Sequence, residues 1–247
     1  MADLKYDEID PIVLPAKEPP LIPEHGAVVV FLHGLGSKAE EWTALASRLS
    51  AAHPHITLHL PTAPYNPLPD KKAWFPPLFS GAVPPASRPS PYPHDALPPL
   101  LATVSYLDAL LTRIASHSIP PNRIVLAGFS QGGIVSLLHL LTSAEFSGKL
   151  AGVASLCGYL PVKGQVQGLR TERDLPEKVG MCPLFLGQGG EDQWVPAWMW
   201  EDTVAGVREF GVGEGLEERV YAGGHQIGEE MEGDLVAWVG KVLPKLE

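Results

Sequence analysis

Short, continuous apolar runs alternate along the chain with stretches whose apolar residues recur every three or four positions. Ala27-Val28-Val29-Val30-Phe31-Leu32 is wholly apolar and rich in β-branched residues, the pattern of a strand covered on both faces. Helical spacing follows over about 38–52, and a second strand is expected at Ile56–Leu60. A long apolar helix is predicted over 97–116, a strand over 123–128 and a helix over 131–143. Two further strands read at 150–156 and 183–186, then a helix over 196–210, a strand over 218–221 and helical spacing over 226–243. Strand and helix alternating in this way predict a mostly parallel sheet with helices on both faces. Neither an internal repeat nor a composition break divides the sequence, so 27–247 reads as a single domain.

Proline changes this picture in two places. Of 26 prolines, 13 fall between Pro61 and Pro99 and five between Pro11 and Pro23. Prolines so dense are incompatible with helix interiors and central strands. Residues 1–26 are therefore expected to form an extended arm, and 61–99 a long irregular loop within the domain. Loops of that length in a compact domain are usually functional or disordered.

Charge and cysteine usage remove several classes of function. With 18 Lys and Arg against 28 Asp and Glu, the formal charge is −10, and no basic cluster stands out. Such a chain is a poor match for nucleic acid or for an anionic membrane surface. Cys157 and Cys182 cannot build a disulfide framework and lack zinc-site spacing, so no metal site is expected and a reducing compartment is favoured. No apolar run approaches the roughly 20 residues needed to span a bilayer. The first residues carry no signal-peptide core, no myristoylation glycine and no cysteine for acylation, so a cytoplasmic protein without a stable membrane anchor is expected.

Parallel sheets place their sites at the carboxyl ends of strands. Gly128-Phe129-Ser130-Gln131-Gly132 lies between a predicted strand and a predicted helix and fits the Gly-x-Ser-x-Gly nucleophile elbow. In a chain with 25 glycines the pattern alone is weak, and a glycine-rich turn with a capping serine reads equally well. A serine needs a base, and of nine histidines His225 is the one that follows the last predicted strand. Asp192 precedes it after another strand, with Glu191 as the rival carboxylate and helix capping as the alternative role. The order Ser130, Asp192, His225 is that of α/β-hydrolases. Backbone amides of Gln131 and of Leu35, in His33-Gly34-Leu35-Gly36, could receive an oxyanion, with His33 orienting that loop.

These residues, with Leu60-Pro61-Thr62-Ala63-Pro64, Ala73-Trp74-Phe75, Cys157-Gly158-Tyr159-Leu160-Pro161 and Tyr221 through His225, resemble the acyl-protein thioesterase/carboxylesterase family. The resemblance runs in order from about Val28 to Pro244. It implies an α/β-hydrolase fold and hydrolysis of carboxylic esters or acyl thioesters, acylated proteins among them. It implies no cofactor, the triad Ser130, Asp192 and His225, and Leu35 and Gln131 as oxyanion donors. The chain departs from the family at Gln188-Gly189, where a His-Gly pair is usual, and at Pro76, where an Asp is usual. The stretch before Trp74 is also shorter, and the stretch after Phe75 longer and richer in proline. Through that loop the resemblance implies a variable active-site rim that sets substrate choice. Trp74 and Phe75 either line an acyl channel or anchor the loop on the core, and Trp194 is a candidate substrate contact. Trp194, Trp198 and Trp200 are expected to pack their helix against the sheet. Two other functions remain open to the sequence: a non-catalytic binding protein on the same fold, and an acyltransferase using the same triad.

Overall fold

The structure, a computed structural model, describes residues 11–67, 70–76 and 97–246. Strands β1 (Ile12–Leu14), β2 (Ala27–Leu32) and β3 (Ile56–Leu60) come first, with helix α1 (Thr43–Ala52) between the last two. A two-stranded hairpin, β4 (Tyr65–Asn66) and β5 (Lys71–Lys72), precedes helix α2 (Leu97–Ala115). Then strands and helices alternate: β6 (Ile124–Phe129), α3 (Gln131–Thr142), β7 (Gly152–Leu156), α4 (Lys163–Glu172), β8 (Leu184–Gly189), α5 (Ala197–Glu209), β9 (Leu216–Tyr221) and α6 (Glu229–Val242).

Seven strands form one sheet in the order β1-β3-β2-β6-β7-β8-β9, parallel throughout except for β1, which runs antiparallel to β3. Alternate residues of β2 divide the core. Val28, Val30 and Leu32 pack toward the face shared by α2, α3, α4 and α5, while Ala27, Val29 and Phe31 face α1 and α6. Every residue of α3 is buried, which accounts for its apolar run without a polar stripe. From β2 the chain moves outward to β3, then returns through α2 to β6 on the other side of β2. The loops leaving β2 and β6 therefore diverge in opposite directions, and such a topological switch point opens a crevice at the carboxyl ends of the two strands.

Several elements differ from the sequence reading. Ile12–Leu14, within the stretch read as an arm, supplies the edge strand through pairing of Val13 with His59. Helix α4 escapes a search for apolar periodicity because only Val166, Leu169 and Arg170 are buried and Gly164 and Gly168 interrupt it. Of the three tryptophans after Asp192, only Trp200 packs into the core. Trp194 and Trp198 are exposed, Trp198 because two residues turn a helix about 200°. Of the proline-rich stretch 61–99, the residues 68–69 and 77–96 lie outside the described residues. No helix among the described residues is long and apolar enough to cross a membrane.

Candidate active site

Ser130 stands between β6 and α3 with φ 53° and ψ −118°, a conformation that costs a non-glycine residue about 1–3 kcal/mol. The flanking glycines permit it. A Cβ on Gly128 would lie 2.3 Å from the Gly132 carbonyl carbon, and one on Gly132 would lie 2.2 Å from the Leu32 carbonyl oxygen. Only hydrogen at both positions lets α3 start hard against the end of β2. The turn is fixed from below by the Ser130 amide, which donates to the Leu156 carbonyl at 2.8 Å.

His225, in the loop between β9 and α6, brings Nε2 to 2.9 Å from Ser130 Oγ and Nδ1 to 2.7 Å from Asp192 Oδ2. Asp192 is buried, and its other oxygen accepts the amides of Trp194 at 2.8 Å and Val195 at 2.9 Å. Burial acts to raise the Asp192 pKa, but the hydrogen bond from His225 and the two amides outweigh it and hold the carboxyl below its ordinary value. Glu191 is exposed and makes its loop contact through its backbone, donating to the Gly223 carbonyl. The structure thus brings together the three side chains chosen from sequence, on loops after β6, β8 and β9.

The Leu35 and Gln131 amides have no acceptor among the described residues. Gln131 is the first residue of α3, so its amide adds the positive end of the helix to the site. The loop carrying Leu35 is held by His33, which is buried. Its Nδ1 donates to the Gly34 carbonyl at 2.7 Å, and Nε2 accepts the Ala63 amide at 2.9 Å. Burial pushes the His33 pKa down, which favours the neutral ring this pattern needs.

Trp74 and Phe75 do not present open surfaces to a substrate among the described residues: they are 0% and 4% exposed and belong to the core under α2 and α3. The Trp74 indole donates to the His33 carbonyl at 2.8 Å. The Gln131 side chain in turn accepts the Trp74 amide at 3.1 Å and donates to the Phe75 carbonyl at 2.9 Å. Of the two roles open to this pair, the geometry is that of an anchor. Trp194 is half exposed beside the Asp192 loop, and its contact with the site is made by its amide.

Three contributors were not singled out by sequence. Phe129 packs against His225 with ring centroids 5.0 Å apart and the planes tilted by 47°, and is backed by Trp42 at 5.4 Å. These rings wall a cleft of about 320 Å³ that also meets Gln226, Ile227, Glu41 and Arg48. Gln188, noted only as a departure from the family, is buried, and its Nε2 donates to the Val195 carbonyl at 2.7 Å, tying down the Asp192 loop. Cys157, at φ 51°, packs against the same carboxylate. Donor atoms of Cys157, Asp192 and His225 lie within 4.8 Å of one another, the one such metal-ligand set among the described residues. Burial and the Asp192 charge push that thiol up to about 12, whereas a metal needs the thiolate, so the set suits a packed triad better than a cation.

Comparison with known proteins is consistent with this geometry. The family model described as phospholipase/carboxylesterase matches residues 20–242. An acyl-protein thioesterase 1 from Mycosarcoma maydis is 32% identical over 232 residues, 88% of this chain and 92% of that protein. Another, from Cryptococcus neoformans var. neoformans serotype D, is 32% identical over 170 residues, 68% of this chain and 67% of that one. Among solved structures, Arabidopsis thaliana SOBER1 has a TM-score of 0.74 at 22% identity, covering 88% of this chain and 99% of its own. At that identity the likeness speaks to the fold.

Proposed function

The chain belongs to the phospholipase/carboxylesterase family of α/β-hydrolases, and we propose that Ser130, His225 and Asp192 are the triad through which it cleaves carboxylic esters or acyl thioesters. The observation that carries this assignment is the continuous hydrogen-bond chain from Ser130 Oγ through both nitrogens of His225 to Asp192 Oδ2. Ser130 Oγ attacks the acyl carbonyl as His225 Nε2 takes its proton, and Asp192 holds the proton on Nδ1 and stabilises the imidazolium. The Leu35 and Gln131 amides receive the oxyanion. As the tetrahedral adduct collapses, His225 returns the proton to the departing alcohol or thiol. A water deprotonated by His225 then cleaves the acyl-enzyme, releases the carboxylic acid and restores Ser130.

Likeness to acyl-protein thioesterases supports acylated proteins as substrates beside small esters. The cleft beside Phe129 and Trp42 supports entry of the substrate along His225, where the exposed Trp194 remains a candidate contact. Both cysteines are free and buried, which supports a reducing compartment such as the cytoplasm. The test is labelling by a fluorophosphonate, with turnover of p-nitrophenyl esters and acyl thioesters. Wild type should label at Ser130, and Ser130→Ala should lose label and turn over roughly 10⁴-fold more slowly or worse. Wild-type turnover by Ser130→Ala would overturn the assignment.

A further inference from the structure

A groove larger than the cleft beside His225 lies elsewhere among the described residues. About 500 Å³ in volume, within the range of small-molecule sites, it runs along the α2 face of the sheet over β1 and β3. It shares no lining residue with the cleft beside His225. Val13 pairs with His59 across β1 and β3, and Thr57 lies two residues before His59, so all three face the same side. Val28 and Ile114 complete an apolar floor, while Arg113, from the last turn of α2, and His117 stand at the rim.

The ionisable side chains in the described lining are all bases. In a chain with 28 acidic and 18 basic residues, the described residues that line the groove include Arg113, His59 and His117 and no carboxylate. Among the described residues the Arg113 guanidinium has no acidic partner. Among the described residues, His59 Nδ1 is buried without a hydrogen-bond partner. Burial, with Arg113 and His117 nearby, pushes His59 down to about 4, so its ring is neutral at pH 7. An anion at this point would give Arg113 a charge partner and His59 a hydrogen-bond partner, while apolar walls run away from it.

We propose that this groove binds an aliphatic monocarboxylate, its head at Arg113 and His59 and its tail along Val13, Val28, Ile114 and Ile119. The site does not depend on the catalytic assignment, although its ligand has the chemistry of the acid that ester hydrolysis releases. The test titrates sodium octanoate into protein already capped with a fluorophosphonate, followed by calorimetry and by histidine side-chain NMR. One saturable site that perturbs His59 is expected. Arg113→Glu, at an exposed position, and Val13→Glu, at a half-exposed one, should each weaken it about tenfold or more, and 1-octanol should bind at least about tenfold more weakly. Absence of saturation, equal binding by both variants, or octanol binding as tightly as octanoate would overturn the proposal. So would light scattering that showed self-association lost in Arg113→Glu, which would assign the groove to a second copy of the chain. Should the fluorophosphonate fail to react, the triad assignment falls, and the same titration on untreated protein still decides the groove.

Discussion

Asp192→Asn isolates one proton. Asp192 Oδ1 is committed to the Trp194 and Val195 amides at 2.8 and 2.9 Å, leaving Oδ2 alone to face His225 at 2.7 Å. In the asparagine variant the carbonyl oxygen keeps the two amides, because an NH₂ group there would set donors against donors. The NH₂ group must then face His225 Nδ1, which becomes an acceptor, and the ring proton moves to Nε2. At 2.9 Å from Ser130 Oγ, Nε2 can no longer take the serine proton. Shape and packing are unchanged, so the loss is one of tautomer and of imidazolium stabilisation. It should lower kcat by about 10⁴-fold, equivalent to about 5 kcal/mol of barrier. Steady-state hydrolysis of a p-nitrophenyl ester and an acyl thioester measures it, with thermal melting to establish that the variant is folded. Glu191→Gln is the control, since that side chain is exposed, and should stay within about twofold of wild type. A folded Asp192→Asn enzyme retaining more than about a tenth of wild-type kcat would refute the reasoning. So would a larger loss in Glu191→Gln.

Other variants probe what holds the site in place. Trp74→Phe leaves the buried loop at the His33 carbonyl without its donor, which should cost about 1–3 kcal/mol in urea unfolding and lower kcat with little change in KM; unchanged stability and kcat would remove Trp74 from the support of the oxyanion loop. Gln188→Leu strips the Val195 carbonyl of its partner and should destabilise by a similar amount while slowing fluorophosphonate labelling of Ser130; a wild-type labelling rate would show that the Asp192 loop stands without it. His59 predicts an acid-limb effect: its folded pKa of about 4 lies below the ordinary 6.5, so the unfolded chain takes up the proton first and stability falls as pH drops from 6.5 toward 4, by at most about 3 kcal/mol. His59→Leu should flatten that limb, and an unchanged slope between pH 7 and pH 4.5 would contradict the placement of His59.

The clustering of Ser130, Asp192 and His225 was legible because the first two follow apolar runs that read as strands, because His225 follows the last predicted strand, and because chain order limited the pairings. Strands β2, β6 and β7 were legible because burial on both faces writes an uninterrupted apolar segment. Elements whose partners are distant were not. Ile12–Leu14 carries only three residues of pattern, and its strand character comes from β3, more than 40 positions later. The direction of Trp74 was equally hidden: an aromatic pair in a proline-rich stretch has the same sequence whether it faces a channel or the core. Gln188 showed only that it was not histidine. What it does there depends on Val195, seven residues on and across a turn.

That last class of residue explains how two amides about a hundred positions apart can be aimed at one oxygen. Gln131, whose backbone amide is a proposed oxyanion donor, grips the backbone at Trp74 and Phe75 with both atoms of its side-chain amide. Trp74 then reaches from the other end through its indole to the His33 carbonyl, two residues before Leu35. The link from one proposed oxyanion donor to the other is thus a continuous path of buried hydrogen bonds and covalent bonds, with no step through a solvent-exposed side chain. Buried polar groups so paired cannot rotate away without leaving a partner unsatisfied, at about 1–3 kcal/mol each. Preorganisation of this kind is what lets amide dipoles stabilise developing charge without reorganising during the reaction. On the proposed oxyanion assignment, a full-size indole and a glutamine amide at these positions would act on the chemistry through the loop they hold, although Trp74 is wholly buried.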